Sequence, residues 1–115
     1  MDPAQAPTGC SLAQLFRLLG ERHVPDVLHR VLQEGSVRFN AIQQELGISP
    51  NTLSDRLKKL TEAGLVTRHA FHEIPPRVEY RPTAKARDLG TVFDALGEWA
   101  GRHTLAIEAD APPPS

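Results

Sequence analysis

The amphipathic stretch PNTLSDRLKKLTE, residues 50–62, carries the side chains best suited to chemistry with a partner. At 100° per residue, Leu53, Leu57 and Leu60 share one helical face that can pack on a core. The opposite face holds Asn51, Asp55, Lys58 and Glu62, with Thr52 and Lys59 at its edge. An Asn amide can pair with adenine through two hydrogen bonds, a carboxylate can accept from cytosine, and a lysine can contact phosphate. This polar face is therefore a candidate for reading a nucleic acid.

The same residues also have a plain structural interpretation. Asn51 and Thr52 are good first-turn residues of any solvated helix, and Lys58 and Lys59 are ordinary surface lysines. Arg56 lies nearer the flank of the leucine face, so a role in positioning the helix is an alternative to DNA contact. Both interpretations predict a helix here. They differ in whether its polar face contacts a nucleic acid or only solvent.

Other chemistries find little support in the residue types and their spacing. His69 and His72 lie three apart on a predicted strand and point to opposite faces, and His23, His29 and His103 lack ligand spacing. No phosphate-binding loop, nucleophile motif or carboxylate pair stands out. We predict neither an enzyme, nor a metal site, nor a cofactor.

Charge is distributed unevenly along the chain, although the net charge is only −1. Residues 38–87 hold nine Lys or Arg against five Asp or Glu, a local net charge of +4, while the remaining segments are acidic. Such asymmetry is typical of a protein with one face toward phosphate. The low overall charge favours an alternative, a module that binds protein and not DNA.

Length and composition limit the remaining possibilities. The 115 residues fit one small domain, predicted over 11–104, with proline-containing flexible tails at 1–10 and 105–115. The start of the chain does not resemble a secretion signal, and no apolar run is long enough to span a membrane. A single cysteine, Cys10, suits a reducing compartment. We expect a cytoplasmic protein.

Two predicted helices precede the polar stretch. Ser11 is placed as the cap of the first, in which Leu12, Leu15, Phe16 and Leu19 recur on one face before Gly20. The second is predicted to begin at Pro25 and to run to Gly35.

The next segments predict a helix-turn-helix followed by a hairpin. A short helix containing Phe39, Ile42 and Leu46 ends at Gly47, and the polar helix begins at once with Ser49 as its cap. LVTRHAFH and RVEYR then predict two strands joined by the stiff turn EIPP. Thr83 is expected to cap a long last helix. Its apolar residues are Leu89, Val92, Phe93, Leu96, Trp99 and Ala100.

These motifs resemble those of HxlR-type transcriptional regulators, a winged-helix group related to the MarR type. The matching motifs are RFN, IS…LSDRLKKL…AGLV, LGEWA and, most specific, PPRVEY; a cysteine before the first helix also fits. The family usually has tryptophan, leucine and glycine where this chain has His23, Pro82 and Ala86.

The resemblance implies a mainly α (α+β) fold, a winged helix-turn-helix whose added N- and C-terminal helices form a dimer interface. It implies a homodimer bound to a double-stranded DNA operator with two half-sites, most often as a repressor. Combined with the polar-face analysis, it predicts a DNA-contacting set: Arg38, Asn40, Ser49, Asn51, Thr52, Asp55, Arg56, Lys58, Lys59 and Arg77. The predicted dimer-interface residues are Leu12, Leu15, Phe16, Leu89, Val92, Phe93, Leu96 and Trp99.

Three of these assignments carry further detail. Arg77 is expected at the rigid end of the hairpin, against the DNA backbone or in the minor groove. For Arg38, pairing with Glu79 inside the domain is an equal alternative to DNA contact. Cysteines at the place of Cys10 sense oxidants or electrophiles in several family members, and the dipole of a nearby helix N-terminus favours the thiolate. Cys10 is thus a redox-sensing candidate, with inertness as its alternative.

Overall fold

The computed structural model describes residues 8–105, with side chains from residue 11 onward, as five helices and a three-stranded antiparallel sheet. The elements in chain order are α1 Thr8–Leu19, α2 Val24–Glu34, β1 Val37–Arg38, α3 Phe39–Leu46, α4 Pro50–Glu62, β2 Val66–Phe71, β3 Arg77–Pro82 and α5 Ala84–Arg102. A helix-turn-helix formed by α3 and α4, followed by the β2–β3 hairpin, is a winged helix. The predicted fold class, a winged helix-turn-helix with added N- and C-terminal helices, is confirmed.

Helix α2 provides the centre of the core. Val24, Val27, Leu28 and Val31 repeat at helical spacing and are fully buried. Helix α4 packs against α2, and its three leucines, Leu53, Leu57 and Leu60, are fully buried as predicted. Burying each such side chain stabilises the fold by about 1.5–3 kcal/mol. The leucine face is thereby committed to the core, and the opposite face of α4 turns to solvent.

The turn between α3 and α4 has the predicted chemistry. Gly47 adopts a left-handed conformation, with φ of 65°, and its N–H donates to the carbonyl of Gln43. The Ser49 side chain then accepts from the backbone N–H of Thr52 at 3.2 Å, which begins α4. The tight connection fixes the crossing of the two helices.

The sheet contains a strand that we did not predict. β1 pairs antiparallel with β3, opposing Val37 to Tyr80 and Arg38 to Glu79, so that β3 lies between β1 and β2. Two residues are too few to show an alternating pattern, so β1 cannot be recognised from its residues alone. Its pairing anchors the start of α3 to the hairpin.

Helix α1 begins earlier than we predicted. It starts at Thr8, so the assignment of Ser11 as its cap is wrong, because Ser11 lies within the helix. Cys10 is the third residue of α1, in its first turn. Of the predicted tails, residues 1–7 and 106–115 lie outside the described residues.

Helix α5 starts as predicted. The Thr83 hydroxyl accepts from the backbone N–H of Ala86 at 3.1 Å and donates to the carbonyl of Gly64 at 2.7 Å, which ties α5 to the end of α4. Ala86 is buried, and Leu89 and Phe93 pack against the core. Only part of the apolar face of α5 is therefore used within the chain.

Candidate nucleic-acid interface

The solvent face of α4 presents few uncommitted polar groups. Asn51 and Lys58 are both exposed and lie about two helical turns apart on α4. Ser54 lies between them. Among residues 11–105, no salt bridge involves Lys58. These side chains can donate or accept toward a partner without breaking a contact within the domain.

Ser49 and Thr52 are engaged with each other. The Ser49 hydroxyl donates to Thr52 Oγ1 at 3.0 Å, in addition to accepting from the Thr52 backbone N–H. Ser49 is thus mainly a helix cap. Thr52 Oγ1 keeps its own proton to donate outward.

Asp55, Arg56 and Lys59 form a network inside the domain. Arg56 contacts the Asp55 carboxylate and donates from Nε to the Arg22 carbonyl at 2.7 Å. Lys59 Nζ lies 2.8 Å from Glu21 Oε1 and 3.4 Å from Asp55 Oδ2. The hydrogen bond from Arg56, followed by the charge of Lys59, lowers the pKa of Asp55. Three of the predicted DNA-contacting side chains therefore already have partners.

A basic groove borders α4 on the hairpin side. It encloses about 440 Å³ between the start of α3, Ser54 of α4 and the β2–β3 hairpin. Its lining includes Arg38, Asn40, Arg68, Arg77 and Tyr80. Three arginines and one carboxylate, that of Glu73, line the groove, and Glu73 pairs with Arg77; the net positive charge suits a phosphate backbone.

Arg38, at the end of β1, and Arg68, on β2, both line this groove. The alternative in which Arg38 pairs with Glu79 is wrong: the two residues are opposed in the sheet, yet the Glu79 carboxylate accepts from Ser36 and approaches Arg77 and Arg81 instead. Arg68 is exposed on β2 opposite Tyr80. Arg68 is not among the predicted DNA-contacting residues; only its position in the groove identifies it.

Arg77 is anchored to the hairpin itself. Its guanidinium lies 4.0 Å from the centroid of the Phe71 ring and 3.0 Å from the Glu73 carboxylate, and its side chain is only 23% exposed. The rigidity that we attributed to the prolines thus also comes from stacking on Phe71. The far end of the hairpin carries Ile74, which is fully exposed.

A separate apolar surface lies on α1 and α5. Its exposed members are Leu12, Phe16, Val92, Leu96 and Trp99, with exposed fractions of 46–63%. Leu15 is half-buried, whereas Leu89 and Phe93 of the predicted interface pack on the core of their own chain. Large apolar side chains exposed on two helices indicate a candidate surface for protein contact.

The part of the chain that the structure describes provides neither a metal site nor a membrane-spanning helix. Residues 8–105 contain no group of three or more His, Cys, Asp or Glu side chains arranged to hold a metal ion. None of the helices described is both long and apolar enough to cross a membrane.

Comparison with known proteins agrees with this architecture. Residues 18–108 match the family model described as HxlR-like helix-turn-helix. An HTH-type transcriptional regulator of Halalkalibacterium halodurans is 34% identical over 83 residues, 71% of this chain and 74% of that protein. The reduced form of the transcriptional regulator YodB from Bacillus subtilis is similar in structure, with a TM-score of 0.70 and 33% identity, covering 82% of this chain and 92% of YodB. Quinone-bound YodB gives a TM-score of 0.69 at 31% identity, covering 81% and 97% of the two chains.

Proposed function

Because the chain belongs to the HxlR-like helix-turn-helix family of transcriptional regulators, which are not enzymes, we propose that it binds an operator in double-stranded DNA as a homodimer and represses transcription. In this proposal α4 is the reading helix in the major groove, and the β2–β3 hairpin is the wing beside it.

One observation carries the proposal: the uncommitted polar face of α4 and the basic groove are continuous. Ser54, which lies between Asn51 and Lys58 on α4, also lines the groove with Arg38 and Arg68. A duplex whose base edges face Asn51 would therefore bring a phosphate strand to the arginines. The local charge of +4 over residues 38–87 favours that approach despite the net charge of −1.

The side chains divide into two classes of contact. Asn51, in the first turn of α4, is assigned to adenine, with Thr52 beside it as a donor. Lys58, Arg38 and Arg68 are assigned to phosphates, together with Asn40 at the start of α3. The phosphate contacts provide affinity and salt dependence, and the Asn51 contact provides sequence choice.

The wing contributes a fixed guanidinium. Arg77 is held by Phe71 and Glu73, so a contact to the DNA backbone would cost little side-chain entropy. Its partly buried position favours the backbone over deep insertion into the minor groove. The wing then restrains the duplex from one side while α4 reads it from the other.

The homodimer is supported by the exposed apolar surface on α1 and α5. Its residues include Leu12 and Phe16 of α1 and Leu96 and Trp99 of α5, which are exposed to water. Burying them against a second copy would be favourable. A two-fold dimer would place two copies of α4 about 34–36 Å apart, one turn of B-DNA. Two half-sites follow from that symmetry.

Control by oxidants or electrophiles is the remaining part of the proposal. Cys10 lies in the first turn of α1, where the helix dipole favours the thiolate. YodB has been solved in reduced and quinone-bound forms. We assign Cys10 as the responsive residue, acting through α1 on the dimer.

A titration of promoter-length duplex with the purified protein at two salt concentrations tests the proposed function. A DNA-binding protein loses affinity steeply as salt rises, with a slope of about −0.9 per phosphate contacted. A well-folded protein that ignores every duplex at low ionic strength would instead be a protein-binding module, and the proposal would be wrong.

A further inference from the structure

Helix α4 is tied to the connection between α1 and α2, residues 20–23, by polar contacts remote from the groove. Arg56 Nε donates to the Arg22 carbonyl at 2.7 Å. Lys59 Nζ donates to both carboxylate oxygens of Glu21, at 2.8 and 2.9 Å. These partners lie 34 and 38 residues away in the sequence, so the contacts join distant segments.

The ammonium of Lys59 already has carboxylate partners. Nζ donates to both Glu21 oxygens and forms an ion pair with Asp55 Oδ2 at 3.4 Å. The hydrogen bond that Lys59 donates to Glu21, reinforced by the charge of Asp55, raises the pKa of Lys59. A phosphate would have to displace a carboxylate already in place, which distinguishes Lys59 from its exposed neighbour Lys58.

The connection itself has a defined backbone. Gly20 N–H donates to the Phe16 carbonyl at 2.8 Å, and Val24 N–H donates to the Glu21 carbonyl at 3.1 Å. His23 adopts a left-handed conformation, with φ of 74°, which is uncommon for a residue other than glycine and persists only when its surroundings hold it. The connection therefore has one defined backbone conformation. Helix α1 leads directly into it, and α4 contacts it through side chains.

We propose that Glu21 is a positioning residue for operator binding: through Lys59, and alongside the Arg56–Arg22 contact, it fixes the orientation of α4 relative to α1. This inference rests on the proposed function, because it concerns how the reading helix is aligned. It also reassigns Arg56 and Lys59 from DNA contact to alignment.

The geometry of a dimer explains why such alignment matters. Helix α1 carries Leu12 and Phe16 of the exposed apolar surface, so its position relates one subunit to the other. Two reading helices must meet successive major grooves about 34–36 Å apart. A change in the angle between α4 and α1 therefore alters the spacing of the two α4 helices, and with it the preferred half-site spacing.

The test is a double-mutant cycle on operator affinity, using an operator selected from a random duplex library. Glu21→Met keeps the length of the side chain, Lys59→Met shortens it by one atom, and each removes the ion pair. We expect each to weaken binding about five-fold, the size that losing one exposed ion pair allows, and the double variant to be no weaker than either. The slope of affinity against salt should stay as in the wild type for Lys59→Met, because no phosphate contact is lost.

Two control variants make the cycle specific. Lys58→Met should flatten the salt slope and show no coupling to Glu21→Met. Glu62→Met removes an exposed carboxylate that lies on α4 itself and should leave affinity unchanged or raise it, since it only reduces repulsion from phosphate. Affinities are expressed per active dimer, with thermal melting in parallel, so that lost folding is not counted as lost binding.

A second readout separates alignment from general stability. Wild-type protein should discriminate strongly against an operator whose half-sites are moved apart by one base pair, and Glu21→Met should lose part of that discrimination. A flattened salt slope for Lys59→Met, or operator binding by Glu21→Met as tight as wild type, would overturn the inference while leaving DNA binding intact. Absence of any DNA binding by the folded wild type would instead remove the proposed function.

Discussion

The Ser36 hydroxyl donates a hydrogen bond to the Glu79 carboxylate at 2.9 Å, joining the segment before β1 to the central strand β3. This hydrogen bond, followed by the charges of Arg77 and Arg81, lowers the pKa of Glu79 below its ordinary value of 4.5. The carboxylate thus stays ionised in the folded hairpin at a pH where it begins to protonate in the unfolded chain.

A pH dependence of stability follows for the hairpin. Because the pKa of Glu79 is lower in the folded state, its contribution is fully present above 4.5 and is lost as the pH falls through the folded-state value. We expect Glu79→Gln to unfold more easily at neutral pH and to lose less stability than wild type on acidification. Urea denaturation of the two proteins at neutral pH and at a pH below 4.5 measures both the loss of stability and its dependence on acid. Equal acid sensitivity of the two proteins would contradict this.

Asn51→Ala tests sequence reading by α4. Loss of two hydrogen bonds to adenine should reduce discrimination at one base pair per half-site by about 1–3 kcal/mol. Competition binding with operators altered one position at a time gives the value. The control is Gln33→Ala, an exposed amide on α2 beside α5. An Asn51→Ala protein with undiminished discrimination would show that another face of the protein reads the bases.

Lys58→Ala tests phosphate contact. The exposed ammonium should add affinity for every duplex alike, and its loss should flatten the salt slope by about 0.9 for each contact, with two contacts in a dimer. Affinities for specific and unrelated duplexes over a salt series measure this. Arg102→Ala, at the exposed end of α5, is the matched removal of a cation and should leave the slope unchanged. A base-specific loss from Lys58→Ala would contradict the assignment.

Leu96→Glu tests the dimer. Leu96 is 57% exposed on the apolar surface of α1 and α5, and a charge there should oppose burial against a second copy. We expect monomers in sedimentation velocity and much weaker operator binding. Ile74→Glu places the same charge at the exposed tip of the wing and should not change the oligomeric state. Dimers of Leu96→Glu at low micromolar concentration would place the interface elsewhere.

Cys10→Ser tests the redox assignment. Treatment of wild-type protein with peroxide or a quinone should alter operator affinity, and the serine variant should not respond because it lacks a thiolate. Operator titrations before and after treatment measure the change, and reversal of the peroxide effect by a thiol reductant is the control. The same response in both proteins would exclude Cys10 as the sensor.

Much of the fold could be predicted because its signals are local. Ser49, Thr83 and Gly47 act within a few residues of where they stand, and the three leucines of α4 needed only helical spacing to be assigned to the core. The start of α1 was missed because Ser11 is a plausible cap by type, and β1 because two residues have no period.

The site was harder to predict than the fold. Sequence spacing identified which side chains of α4 face away from the core, and Asn51 and Lys58 are indeed exposed. Sequence spacing could not identify which charged side chains of α4 form ion pairs within the domain. Lys58 and Lys59 are neighbours in the chain, yet only Lys59 meets a carboxylate from the α1–α2 connection.

The amino-acid sequence by itself determined the succession of helices, the hairpin, the buried faces and the basic middle of the chain, because these depend on periodicity, caps and composition. Only the tertiary structure decided that Arg38 and Arg68 share a groove, that Arg77 stacks on Phe71, and that Lys59 is held by Glu21. The physical reason is that electrostatic and stacking contacts depend on distances of a few ångströms between segments that lie far apart along the chain. Helical spacing indicates which way a side chain points, whereas the packing of neighbouring elements determines what it meets.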